Sequence, residues 1–453
     1  MLKKQGLIIK LAYGVLFSFT FILLLTTQAS SQFNQITFIR DSLPNGLQII
    51  YNVDKTAPVV ATVMHYRVGS RDEIPGKTGY AHFFEHLMFE STRDIPRATI
   101  DKYVQEAAGN LNAHTSWDET VFFFQLPSNQ VKLALWVESQ RLRTLKVDSI
   151  GVETQRGVVT EELKMRTDNQ PYGSLIQKLC ENLFPGTPYS WATIGFVKDI
   201  ADAKISDFKE FYDEYYQPNN TTLVISGDII VDSVKHWVRQ YFGMYPKGKD
   251  PKKTQFTLKP LEKGTRELIE DPKAQLPALF IGYRGPKLSD PDYYALNMFT
   301  KILAVGESSR LNKRLVEKEQ VAVASAVIPL SLQYSGAVIL FGVSAPGKKI
   351  SEVEKIAFNE IENVINEGIT DEEFTKAKNI SEAEFIADKK NVLPKASALA
   401  TYYSYYGDPD LINTEIKNFY KVTKDDVIRA AKKYFLTDKR VILTYVPKGY
   451  TEK

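Results

Sequence analysis

Five histidines occur in this 453-residue chain, and two of them share one pentapeptide, His82-Phe83-Phe84-Glu85-His86. Residues four apart on a helix share a face, so His82 and His86 can turn their imidazole nitrogens toward one ion. Glu85 lies one step from His86 and three from His82, near that face but off it. A carboxylate there can take a proton from a water that the ion activates, without itself ligating. A catalytic zinc takes three protein ligands and keeps a fourth position open. With so few histidines, a carboxylate is the natural third. Val158, Val159, Glu162 and Leu163 follow the i, i+1, i+4, i+5 pattern of one helical stripe, which sets Glu162 on an apolar face. An unpaired carboxylate is costly to bury there, and metal ligation removes that cost. The chemistry these residues suit is metal-assisted hydrolysis with one Zn2+ per chain. A blander alternative exists: the histidine pair can be ordinary core or surface residues, and Glu162 can pair with an Arg or Lys. Chance alone would produce H-x-x-E-H in about 1% of chains of this length, which favours the metal. His65, His114 and His236 have no such company and are read as structural or exposed.

The surrounding pattern supplies the elements that must hold these groups. Two strand-like runs, residues 36–43 and 47–53, flank the turn Pro44-Asn45-Gly46, and 59–68 is a third β-rich stretch. Thr78 and Gly79 open a helix over 80–89, and further helices are predicted at 99–108, 130–142, 150–166 and 206–215, with a strand at 221–226. Mixed hairpins and helices argue for an α+β fold rather than βαβ alternation. Residues 247–264, rich in lysine and proline with little apolar periodicity, read as a linker between residues 32–246 and 265–453. The two halves look related: 206–215 leads through Pro218 into Leu223-Val224-Ile225, as 423–434 leads through Thr437 into Val441-Ile442-Leu443. The expectation is two homologous domains, each a mainly antiparallel sheet with helices packed on one face.

Composition narrows the function classes. A net charge of +3 over 57 basic and 54 acidic residues offers no strongly basic face, so nucleic acid is not an expected partner. The single cysteine, Cys180, allows neither an intrachain disulfide nor a thiolate metal site. Lys3, Lys4 and Lys10, the apolar run 11–25 and Ala29-Ser30-Ser31 read as a signal peptide over 1–31, giving a periplasmic or secreted protein. If uncleaved, the run would anchor the chain in a membrane, although a span needs about 20 apolar residues.

Taken together, these motifs resemble the pitrilysin family of zinc peptidases, whose signature is the inverted H-x-x-E-H. The resemblance rests on Leu43-Pro44-Asn45-Gly46-Leu47, Val68-Gly69-Ser70-Arg71-Asp72-Glu73, Thr78 to Phe89, Asn112-Ala113-His114-Thr115-Ser116, and Tyr216 to Asp228. It implies that His82, His86 and Glu162 hold zinc and that Glu85 is the general base. Glu162 lies 162 − 86 = 76 residues past the second histidine, a spacing typical of the family. The strand bearing Asn112 and Ala113 would pair with extended or unfolded peptide substrates. Short members, including the branch with the mitochondrial processing peptidase, assemble two chains around an enclosed chamber.

Two departures stand out. Many members carry a Glu seven residues before the third ligand, behind the metal site, where this chain has Gln155. Active members also present an Arg and, seven residues later, a Tyr from the second domain; here those positions are Val316 and Val323. Neither valine can donate a hydrogen bond to a peptide carbonyl. The resemblance therefore implies a zinc-bearing subunit whose partner chain supplies the Arg/Tyr pair, with a homodimer as the alternative. The rival to an endopeptidase is a non-catalytic scaffold or peptide-binding member of the same fold.

Overall fold

The computed structural model describes residues 35–452. It contains two sheets built to one plan. The first has the order β1-β2-β6-β3-β5-β4: β1 (Ile39–Ser42), β2 (Gln48–Val53), β3 (Val59–Tyr66), β4 (Asn110–Thr115), β5 (Thr120–Pro127) and β6 (Thr221–Gly227). The second has the order β7-β11-β8-β10-β9: β7 (Thr265–Glu270), β8 (Ala278–Gly285), β9 (Ala322–Ser331), β10 (Gly336–Ser344) and β11 (Val441–Val446). Removing β1 makes the two orders correspond strand for strand. The pairs β2–β6 and β7–β11 are each parallel, and every other pair is antiparallel. The fold is thus α+β and doubled, as the helix–strand repeats suggested.

Alternate residues of a strand face opposite ways, and both faces of each sheet are covered. Val60, Met64 and Tyr66 of β3 join Phe83 and Phe84 in the core of the first half. The intervening His65 instead meets the ring edge of Tyr405, 5.8 Å between ring centres, on the Val392–Tyr406 helix of the second half. The same helix gives Tyr403 Oη to Gln48 Oε1 at 2.8 Å. Reciprocally, the Leu175–Leu183 helix of the first half packs Leu179 and Leu183 against Ala278 and Phe280 of the second sheet. Each half therefore sends one helix across the other's sheet, a finer arrangement than helices on one face only.

The stretch between the halves carries no regular structure, but Phe256, Leu258 and Leu261 rest on that shared core. The expected signal segment, residues 1–31, lies outside the described residues. Among the described residues no helix is long and apolar enough to cross a membrane.

Candidate metal centre

The H-x-x-E-H pentapeptide lies on the Tyr80–Leu87 helix, and its start is tightly specified. Gly79 precedes it with φ +80°, and a Cβ there would come 2.5 Å from the carbonyl oxygen of Ile194. Only glycine combines that left-handed backbone with so close an approach. The buried Glu73 caps the first turn, accepting from the N–H groups of Gly79 at 2.9 Å and Ala81 at 2.8 Å. The N-terminal end of a helix dipole favours the charged form of such a carboxyl, but burial outweighs it here. Burial pushes this carboxyl up to about 8, against the pull of those donors and of Trp191 Nε1. Phe83 and Phe84 face away from the histidines and pack on Phe208 and Tyr216, each with ring centres 4.5 Å apart. The helix is thus pinned by its aromatic side while its histidine side is free for chemistry.

The Ser149–Thr167 helix brings up the third group. Glu162 Oε2 lies 3.2 Å from His86 Nε2 and 3.7 Å from His82 Nε2. One ligand atom from each residue falls within 4.8 Å of the others. Atoms bound about 2.0–2.1 Å from a tetrahedral zinc stand about 3.3–3.4 Å apart, so these three residues fit such an ion. The helix differs from the sequence reading in one respect: Val158 is 46% exposed, and the buried stripe is Val152, Val159 and Leu163. Residues 7 and 11 past Val152 return to its side at 3.6 per turn, while 158 does not. Glu162 therefore sits at the edge of the apolar stripe, half-buried, with Arg166 Nη2 on its other oxygen at 2.5 Å.

Glu85 Oε2 accepts from Thr115 Oγ1 at 2.6 Å, and burial pushes its carboxyl above the ordinary carboxylate value. A carboxyl raised above its ordinary value is better suited to accepting a proton. His82 is held at about 4, first by burial and then by His86, while Glu162 is lowered to about 2, first by its bond to His86. The folded value for His82 lies below its free value of 6.5. Its contribution to stability is then complete above about pH 6.5 and is lost as pH falls toward 4. Thermal melts of metal-stripped protein should drop across that window, and His82→Gln should flatten the drop.

The other expected residues fall as follows. Asn112 and Ala113 lie on β4, the free edge of the first sheet, with Asn112 exposed. Gln155 Oε1 stands 3.3 Å from His86 Nδ1. Val316 is half-buried against the second core, and Val323 is 50% exposed on β9. Arg310 is committed to Glu373, and Arg314 to Glu360 and Glu319. The sequence reading missed Thr115, although it sits inside a quoted motif. It also missed Glu119, a carboxylate that meets His65 Nε2 at 2.6 Å and His114 Nε2 at 3.4 Å. His65 is fully buried and His114 exposed, as structural or surface residues would be. The imidazole of His65 beside Glu119 holds its carboxyl well below the usual range, against burial.

This doubled architecture is the two-domain, pitrilysin-like fold. Residues 48–195 match the Insulinase (Peptidase family M16) model, and residues 202–381 match the Peptidase M16 inactive domain model. The zinc protease PqqE of Helicobacter pylori is 29% identical over 398 residues, covering 87% of this chain and 89% of its own. The crystal structure of a protease from Helicobacter pylori superposes with a TM-score of 0.85 at 28% identity, covering 91% of this chain and 100% of that one. Pitrilysin superposes at 0.75 with 18% identity, covering 93% of this chain and 46% of its own. The protein belongs to peptidase family M16.

Proposed function

We propose that this protein is a zinc-dependent endopeptidase acting on extended or unfolded peptides, with His82, His86 and Glu162 as ligands of one zinc ion and Glu85 as general base. The observation that carries the reading is the convergence of His82 Nε2, His86 Nε2 and Glu162 Oε2 beside a buried carboxylate. When bound there, zinc lowers the pKa of a water and polarises the scissile carbonyl. Glu85 takes the proton from the attacking water and passes it to the leaving nitrogen. Thr115 holds one oxygen of Glu85 and so aims the other. The free edge of β4 would take a peptide strand at Asn112 and Ala113, whose N–H is held by Asn112 Oδ1 at 2.8 Å until a peptide carbonyl replaces it, and such pairing favours unfolded substrates.

The chain is read as the catalytic subunit of a heterodimer, because Val316 and Val323 stand where an Arg and a Tyr would contact substrate. The N-terminal basic and apolar pattern supports export to the periplasm or beyond. A non-catalytic scaffold is less well supported, since all three metal-binding groups and the base are present. The test is hydrolysis of a pool of quenched fluorescent peptides. Chelator-sensitive cleavage, faster with an Arg/Tyr-bearing M16 chain added, is expected. Full activity without a second chain would remove the heterodimer and leave the peptidase.

A further inference from the structure

We infer that Glu90 and Arg97 are positioning residues for the metal centre, acting through Gln155 to fix the ring of His86. The inference rests on the zinc reading above and adds residues to it. Gln155 Nε2 donates to Glu90 Oε1 at 2.7 Å. A carboxylate only accepts, so this bond commits the amide nitrogen and turns Gln155 Oε1 toward His86 Nδ1 at 3.3 Å. An amide oxygen also only accepts, which places the imidazole proton on Nδ1. The lone pair is thereby left on Nε2, the atom that faces Glu162.

Glu90 is 4% exposed, and a buried carboxylate needs a partner. Arg97 Nη1 supplies it, while Arg97 Nη2 spans both oxygens of Asp148 at 2.9 and 3.0 Å. Asp148 in turn caps the Ser149–Thr167 helix by accepting from Gly151 N–H at 2.9 Å. The relay therefore joins the segment just after the first two ligands to the start of the helix that carries the third. Gly151 marks the space kept for it. A Cβ there would lie 2.9 Å from Arg97 Nη1 and 3.4 Å from Glu90 Cγ. Alanine suits a helix better than glycine, so the bare position is explained by the guanidinium beside it.

A plain ion cluster bracing loop to helix would affect melting temperature but not the metal. The test is zinc affinity, by competition with a chromophoric chelator, together with melts of the stripped proteins. Glu90→Gln is expected to bind zinc about tenfold more weakly, the low end for residues behind a metal ligand. Exchanging the groups, Glu90→Gln with Gln155→Glu, places a carboxylate on His86 and is expected to recover most of that loss. Gly151→Ala, which crowds the tip of Arg97 and leaves Glu90 and Gln155 chemically unchanged, should also weaken zinc, and it reads the same relay if Glu90→Gln does not fold. Native zinc affinity in Glu90→Gln, or in Gly151→Ala where Glu90→Gln does not fold, overturns the inference, as does a double exchange no better than the single change. Native protein that takes up no zinc would overturn the metal centre itself, a separate and visible failure.

Discussion

Replacing Glu85 with Gln is expected to lower peptide hydrolysis by about 10²–10⁴-fold while zinc stays bound, since positioned general bases contribute about that much. The amide keeps the shape of the side chain and its bond from Thr115 but cannot take a proton. Because Glu85 lies off the edge shared by His82, His86 and Glu162, the metal affinity should be nearly unchanged. Peptide turnover and zinc content measured on the same preparation separate the two effects. Loss of zinc together with turnover would instead make Glu85 part of the metal's support.

Glu162→Ala should act on the other quantity. It leaves two imidazoles and no carboxylate, and Arg166, now held at 2.5 Å from the carboxylate, would put an unpaired positive charge beside the empty corner. Residues that only touch a metal ligand are worth about 10–100-fold in affinity, so removing a ligand should weaken zinc more than about 100-fold. Hydrolysis should vanish with it. Zinc titration of the stripped variant checks this, and retention of tight binding would disqualify Glu162 as a ligand.

What the sequence revealed and what it hid follow from the range of the interactions involved. The His82–His86 pair was legible because helix geometry alone puts residues four apart on one face. The hairpin around Pro44-Asn45-Gly46 was legible for a similar local reason, and it forms with Asn45 anchored to the carbonyls of Phe242 and Tyr245. Glu162 was found through a stripe that proved rotated: Val158 faces solvent, and Val159 and Leu163 carry the packing. The cluster of Glu119 with His65, His114 and Tyr405 was hidden, because Tyr405 arrives from the second half on a helix laid across the first sheet. The exchange of helices between halves has no local signature, since nothing in the sequence of the Leu175–Leu183 or Val392–Tyr406 helix says which sheet it covers. The relay through Glu90, Arg97 and Asp148 was hidden for the same reason. Its members are separated in sequence and meet only after two helices and a loop have packed.

The most direct test of the central claim is peptide hydrolysis by native and Glu85→Gln protein, each brought to one zinc per chain and supplied with an Arg/Tyr-bearing partner chain where needed. The native protein is expected to cleave unfolded peptides, to lose that activity on chelation and regain it with zinc, and the variant to be nearly inactive. Folded, zinc-loaded native protein that cleaves no peptide, alone or with a partner, would contradict the claim, as would equal cleavage by both.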